Sequence, residues 1–277
     1  MISIIIINEF DTVKYLEKTV ISIEEKITNI EYEIIIVNMK MPAEDDSRKK
    51  LKVYFLKTDN LAKAKNYGAA KSNYGTLFFL KAGIEIKINP FTFFFEKFAS
   101  RNFGAAALKL YDFKNNFKIN FWRQVSLTEE IEDEAIHKKL LKGNTQKSLA
   151  IENQMHDISS VSRISSDAMI IKKEILNSAG GFDEYFIKYY DDADLCVKLL
   201  KKKSVIYFYP FCKLVDLTYD EIDKPLLMKS RLRYYKAHEA FPARFILRIS
   251  LIIKYLLFSL SFTKKNFRLL KSALLPY

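Results

Sequence analysis

The chain predicts an α/β protein, a sheet flanked by helices with a basic amphipathic helical appendage at the C-terminal end. Two apolar runs, the spacing between them and the placement of charge lead to this reading. Residues 3–7 (Ser-Ile-Ile-Ile-Ile) and 33–37 (Glu-Ile-Ile-Ile-Val) are short β-branched runs, as expected of strands covered on both faces in a parallel sheet. Between them, Val13, Leu16, Val20, Ile23 and Ile27 recur at helical spacing, so the three segments make a βαβ unit. Positive charge gathers at the end: residues 225–277 hold eleven Lys and Arg against one acid, Glu239, and so carry +10 of the net +12.

In chain order, residues 3–7 are the first strand, 13–27 the first helix and 33–37 the second strand. Residues 38–50 are polar, with Pro42 and Asp45-Asp46-Ser47, and read as a loop at the carboxyl end of that strand. Residues 53–56 (Val-Tyr-Phe-Leu) form a third short strand. A short helix follows from Asn60, rich in alanine and with Gly68 as its terminal glycine. Residues 77–80 (Leu-Phe-Phe-Leu) are the fourth strand. In a sheet built this way, ligands are expected at the carboxyl ends of the strands. Residues 120–160 are the least legible. The acidic run 129–134, then Lys138-Lys139 and the tract from Gly143, suggest a mobile insertion with one short charged helix. A later helix is expected over 195–203, with Leu195, Cys196, Leu199 and Leu200 as its apolar face and three lysines closing it.

The C-terminal segment differs in kind. Residues 244–262 are strongly apolar but interrupted by Arg248 and Lys254, and the uncharged run is far short of the ~20 residues of a spanning helix. It reads either as an interfacial helix with Lys264, Lys265, Arg268 and Lys271 on anionic headgroups, or as a core or dimer helix capping the sheet. Residues 1–224 are therefore expected to be one domain, divided at 112/113, and 225–277 a membrane-associated tail.

Composition excludes several chemistries. With 49% hydrophobic and 28% charged residues in 277, the chain is an ordinary globular protein able to bury a large core. His137, His156 and His238 form no metal-spaced pair, and no P-loop, dinucleotide-binding glycine motif or Gly-x-Ser-x-Gly elbow is present. The basic residues of the tail alternate with aliphatic rather than aromatic residues, so nucleic acid is not the expected partner. Cys196 and Cys212 form no Cys-x-x-Cys pair and read as core packing in a reducing compartment. Met1 leads straight into a strand with no basic-then-apolar leader, so a cytoplasmic location is expected, peripheral at the inner face of the cell membrane.

The stretch with the most chemistry is 180–196: Gly-Gly-Phe-Asp-Glu, an aromatic run, then Asp191, Asp192 and Asp194. Three carboxylates ahead of a helix can be a cap with a charged first turn. Held in a cleft, one of them can instead be a general base.

These segments resemble family 2 glycosyltransferases of the GT-A fold. The resemblance rests on residues 3–7, Tyr15-Leu-Glu-Lys, 33–38, Asn60-x-Ala-x-Ala-x-Asn-x-Gly68, 77–80, Gly104-Ala-Ala-Ala-Leu-Lys-Leu-Tyr-Asp112, Ala168-Met-Ile-Ile-Lys-Lys-Glu174 and 180–195. It covers about residues 3–235 and is nearest the rhamnosyltransferase-like branch. It implies a GT-A-type (Rossmann-like) mixed sheet, and an inverting enzyme that moves a sugar from a nucleotide-diphosphate donor to a hydroxyl of a glycan or lipid-linked acceptor. By the same resemblance, Asp192 is the general base, and Gly181, Phe182, Asp183, Asp191, Asp194 and Trp122 face the acceptor. Gly180 and Gly181 are expected to let the backbone approach the sugar, and Trp122 is either a stacking platform or a packing residue. Ile7, Asn8, Glu9, Asn38, Lys63, Lys65, Lys81, Ala82 and Gly83 fall where the donor would bind.

Three positions depart from that pattern, and at one of them Asp216 stands where many relatives have a late histidine. Asn38 stands where the family has an aspartate resembling an imide contact, and its carbonyl can still accept from a base N–H. Gly83 stands where a metal-ligating aspartate is expected. The implied Mg2+ or Mn2+ would need a rearranged site through Glu85 and Asp216, or else the ammonium groups of Lys81, Lys63 and Lys65 would replace it. The alternative reading is a catalytically inactive relative that serves as partner or scaffold of an active glycosyltransferase at the membrane.

Overall fold

The structure is a computed structural model that describes residues 1–9, 13–40, 50–122, 145–218, 223–238 and 249. Its elements are β1 (Ile2–Asn8), α1 (Val13–Lys26), β2 (Tyr32–Asn38), β3 (Leu51–Phe55), α2 (Leu61–Lys71), β4 (Thr76–Lys81), β5 (Ile84–Ile88), α3 (Phe94–Phe98) and β6 (Phe103–Asp112). Then come β7 (Phe117–Lys118), β8 (Phe121–Trp122), α4 (Thr145–Gln154), β9 (Ser159–Val161), β10 (Arg163–Ile164), β11 (Ala168–Lys172), α5 (Lys173–Ser178), α6 (Asp191–Lys201), β12 (Val205–Asp216) and α7 (Lys224–His238). The acidic run 129–134 and the apolar segment 244–262 lie outside the described residues, apart from Ile249.

One mixed sheet organises the chain, in the order β3-β2-β1-β4-β11-β6-β12-β5, with β7 added to β6 and β9 to β12. Strands β1 to β4 run parallel, as the uninterrupted apolar runs require, and β6 and β12 are parallel to each other. Strand β11 is antiparallel to both β4 and β6. Six strands therefore point the same way, and the ends of β1, β2, β4, β6 and β12 share one edge with the start of β11. In the register Ile5 lies between Ile35 and Phe79. Alternation then sends Ile4 and Ile6 into one core and Ile5 and Ile7 into the other. Helices α2 and α6 lie over the second core.

Gly68 does not end α2, which continues to Lys71. A Cβ at Gly68 would stand 2.5 Å from Ile5 Cγ2 and 3.3 Å from Val37 Cγ2, so the glycine lets the helix lie close on the sheet. At the opposite edge Glu33 is buried and accepts from Ser3 Oγ, Lys52 Nζ and the Asn73 backbone and side-chain nitrogens. Burial alone would raise its carboxyl, but those partners outweigh it and hold the group below the usual carboxylate range.

Helix α7 belongs to the packed body. Met228, Leu232, Tyr234 and Tyr235 are buried with Phe186, Tyr190 and Ala193, so the described start of residues 225–277 docks on α6 rather than standing apart from it. No helix among the described residues is long and apolar enough to cross a membrane.

Candidate active site

Helix α6 starts earlier than the sequence predicts. It begins at Asp191, so the three carboxylates occupy its first turn instead of preceding it. Leu195, Cys196 and Leu199 are buried as expected, whereas Leu200 is exposed. The chain reaches this helix through three left-handed residues, Gly180 (φ 83), Gly181 (φ 74) and Tyr190 (φ 71). A non-glycine residue in that region is strained. Asn60, which caps α2, and Asn66 within it hold the approach in place. Asn66 Nδ2 donates to Phe182 O at 2.8 Å and its Oδ1 accepts from Phe182 N at 2.9 Å, while Asn60 Nδ2 donates to Glu184 O at 2.6 Å. A Cβ at Gly181 would lie 2.8 Å from Asn66 Oδ1. At Gly181 the close approach is to α2, whereas the space at Gly180 is open.

The three carboxylates have separate environments. Asp191 is buried and its Oδ2 lies 2.6 Å from Lys65 Nζ, which also donates to Ser166 Oγ at 2.6 Å. Burial would lower the Lys65 ammonium, but Asp191 and Asp192 outweigh it and raise it. Asp194 is buried between Lys198 Nζ at 2.6 Å and His238 Nε2 at 2.8 Å. Burial opposes its ionisation, and those two partners overcome it and lower its carboxyl. Both groups are buried and each is held by a cationic partner. Asp192 differs: its side chain is 15% exposed, its Oδ1 accepts from Ala193 N at 2.6 Å, and Arg163 Nη2 lies 3.8 Å away. The cap and the base readings thus divide among neighbours, with Asp191 and Asp194 structural and Asp192 the carboxylate open to solvent.

Arg163 was not singled out by the sequence. Its guanidinium carbon lies 4.4 Å from the Trp122 ring centroid and 4.9 Å from that of Tyr190, an arrangement set by the β8–β10 pairing of Arg163 with Trp122. Trp122 therefore carries a cation on its ring. Phe182 is buried edge-on against Phe79 and belongs to the core. Asp183 Oδ1 accepts from Tyr185 N and closes a local turn.

At the donor end, Ile7 and Ala82 are core residues. Asn8 Nδ2 donates to Asn38 Oδ1 at 2.7 Å, and both are buried, so the Asn38 carbonyl already has a protein donor. Glu9 meets Lys188 at 2.9 Å and ties the end of β1 to the stretch before α6. Lys63 is exposed and its backbone nitrogen is capped by Asn60. Lys65, committed to Asp191, is not available to a phosphate.

Lys81 has a different setting. At the end of β4 its Nζ donates to Thr218 Oγ1 at 2.7 Å and lies 3.6 Å from Asp216 Oδ2, and Lys118 Nζ lies 2.5 Å from that same oxygen. Thr218 donates to Asp216 Oδ1 through both its backbone nitrogen and its hydroxyl. Burial would raise the Asp216 carboxyl, but Lys118 and Lys81 outweigh it and lower it. Glu85 pairs with Lys87. Glu85 and Asp216 do not form the rearranged metal site, because each carboxylate is taken up by lysine. Among the described residues no three His, Cys, Asp or Glu side chains converge as ligands would. Gly83 has φ 99, and a Cβ there would fall 2.3 Å from Thr218 Cγ2. Among the described residues, those around Gly83 do not fit a divalent ion.

Burial pushes both thiols, Cys196 and Cys212, up to about 12, which removes them as nucleophiles at neutral pH.

No family model and no curated protein matches the chain. Among solved structures, it is similar to GalNAc-T7 with UDP, GalNAc and Mn2+, at a TM-score of 0.60 and 14% identity, over 85% of this chain and 47% of that one. The chain thus spans about half the length of that protein. The likeness establishes the architecture: this is a glycosyltransferase-like fold of the GT-A type.

Proposed function

We propose that the chain is an inverting glycosyltransferase that moves a sugar from a nucleotide-diphosphate donor to a hydroxyl of a cell-surface glycan or lipid-linked acceptor. The observation that carries this reading is Asp192, the solvent-reaching carboxylate of the α6 first turn, within a fold shared with a protein solved with UDP and GalNAc. Asp192 takes the proton of the acceptor hydroxyl as its oxygen attacks the anomeric carbon. The bond from that carbon to the diphosphate breaks, and nucleoside diphosphate leaves. Proton abstraction of this kind contributes roughly 10²–10⁴-fold. Arg163 beside Asp192 sets where the carboxylate points. The sequence resemblance supports family 2, and the basic segment 225–277 supports a place at the inner face of the cell membrane, in polysaccharide or cell-envelope synthesis.

A second reading has its own support. The closed position at Gly83 and the buried Asn8–Asn38 pair favour an inactive relative that binds and orients a partner glycosyltransferase. Release of nucleoside diphosphate from a panel of nucleotide sugars separates the two. Active wild type with Asp192→Asn at least about 100-fold slower supports transfer through this base. Donor binding without any release supports the partner reading, and release that survives Asp192→Asn removes the base assignment.

A further inference from the structure

We infer that α7 is a two-point clamp on the turn that carries Asp192, with Tyr234 and His238 as its positioning residues. The effect on turnover rests on the glycosyltransferase reading, whereas the clamp itself stands on geometry.

Spacing comes first. Tyr190 and Asp194 stand four residues apart on either side of Asp192, and Asp194 N donates to Tyr190 O at 2.9 Å, the hydrogen bond that closes the first turn of α6. Tyr234 and His238 also stand four residues apart, which places them on one face of α7, and their rings lie 5.0 Å from each other. The two pairs meet in register. The Tyr234 ring centroid lies 5.3 Å from that of Tyr190, and His238 Nε2 lies 2.8 Å from Asp194 Oδ1. Each end of the turn is thus held by one end of the same α7 face.

The need for such a hold comes second. Tyr190 has φ 71, a conformation that a non-glycine residue keeps only where its surroundings impose it. It caps α6 without a side-chain hydrogen bond to the helix. Its ring meets Tyr234 on α7 and the Arg163 guanidinium on β10 instead. Asp194 is 3% exposed and Lys198 Nζ lies 2.6 Å from it, but Lys198 belongs to α6 itself. Among the described residues His238 is therefore the partner that ties this carboxylate to another helix. A carboxylate only accepts, so Nε2 is the donor. The His238 Nδ1 is buried without a partner among the described residues, and this point of the clamp is a single hydrogen bond. The same helix also holds the approach to Tyr190, where Arg233 Nη1 donates to Tyr185 O at 2.8 Å and the guanidinium carbon lies 4.0 Å from the Tyr185 ring centroid.

The consequence for Asp192 comes third. With the residues two before and two after it fixed, the backbone of Asp192 is fixed as well. A reacting group displaced by about 1 Å can lose about 100-fold in rate, so a clamp of this kind acts on the chemical step without touching the reacting atoms.

The test uses the full chain with His238→Ala and His238→Gln, the second of which keeps a side-chain N–H for Asp194. One readout needs no donor sugar. Cys196 is buried two residues beyond Asp194 in α6, whereas Cys212 is buried in β12. In His238→Ala a thiol reagent is expected to label Cys196 about tenfold faster, as a hydrogen bond to a charged group is lost, and to label Cys212 within about twofold of the wild-type rate, because the opening is local. His238→Gln is expected to restore slow labelling of Cys196. The other readout is release of nucleoside diphosphate, with kcat expected to fall about tenfold to 100-fold in His238→Ala, KM for the donor to stay within about twofold, and His238→Gln to recover most of the rate. Unchanged labelling of Cys196 in His238→Ala, or no recovery in His238→Gln, overturns the clamp. Equal acceleration at both thiols with a lowered circular dichroism melt also overturns it, in favour of a general loss of stability. If wild type turns over no nucleotide sugar, transfer falls and the thiol readout decides the clamp. Turnover with the same kcat in wild type and His238→Ala sinks the clamp and leaves transfer through Asp192 standing.

Discussion

Replacing Lys65 by Met tests how the candidate base is held. Lys65 is 7% exposed and its partner Asp191 3%, and the ammonium bonds both Asp191 Oδ2 and Ser166 Oγ at 2.6 Å. Met keeps the length and removes the charge, so Asp191 is left without a counter-charge in a dry site, where burial pushes its carboxyl further up toward the neutral form. Breaking a buried pair from one side costs about 3–5 kcal/mol. The α6 N-terminus offsets at most about 1 kcal/mol of this for whatever charge Asp191 keeps, which leaves a net loss of about 2–5 kcal/mol. Equilibrium urea unfolding measures it, with Trp122 fluorescence as one probe and circular dichroism as the other. The double variant Lys65→Met, Asp191→Leu removes both charges, and such replacements are often neutral. It is therefore expected to recover most of the loss, giving a coupling energy above about 1 kcal/mol. A loss below about 1 kcal/mol for Lys65→Met, or no recovery in the double variant, would refute the view that this pair anchors the start of α6.

Gly68→Ala is expected to lower stability by about 1–3 kcal/mol despite the better helix propensity of Ala, because its Cβ would overlap Ile5; a thermal melt decides. Cys196 and Cys212 are expected to resist a thiol reagent at pH 8 while folded and to react when urea exposes them, since burial pushes both up to about 12. Asp194 has a folded value below its unfolded one, so its contribution is present above the unfolded carboxylate value of about 4 and is lost as pH falls through the folded value. Asp194→Asn is thus expected to be less stable than wild type at pH 7, with the gap narrowing below about pH 4 in acid titrations followed by circular dichroism. Arg163→Ala is expected to slow nucleoside diphosphate release about tenfold by freeing Asp192 and emptying the Trp122–Tyr190 stack, while Arg163→Lys recovers only part, because a guanidinium plane stacks and an ammonium does not.

The parallel half of the sheet was legible because β1, β2 and β4 are covered on both faces and carry an unmistakable apolar run. The later half was harder. Strand β12 contains Pro210 and shifts register between Tyr209 and Leu214, so no single period runs through it. The start of α6 was misplaced because Asp191, Asp192 and Ala193 add no apolar signal, and their helical state comes from Lys65 and the Tyr190 turn. Asp192 stood out in the sequence through its neighbours Asp191 and Asp194. Lys118 and Arg163 did not, since each sits in a two-residue strand and gains its meaning from a partner 98 residues away in Asp216 and a ring in Trp122. Gly68 misled for a physical reason: a glycine that lets a helix approach a sheet looks, in sequence, the same as one that ends it.

Among the described residues, strand β5 pairs with β12 alone, although it directly follows β4 in the chain. On a ribosome it must wait for a partner that emerges about 130 residues later, which at synthesis rates of 5–20 residues per second is a delay of about 7–26 s. During that interval the buried face of Ile84 and Ile86 has no strand beside it. The nascent chain therefore carries an exposed edge for nearly half of the synthesis of these 277 residues, so the order in which the strands are made, and not only the fold they reach, sets how long that edge is open to other chains.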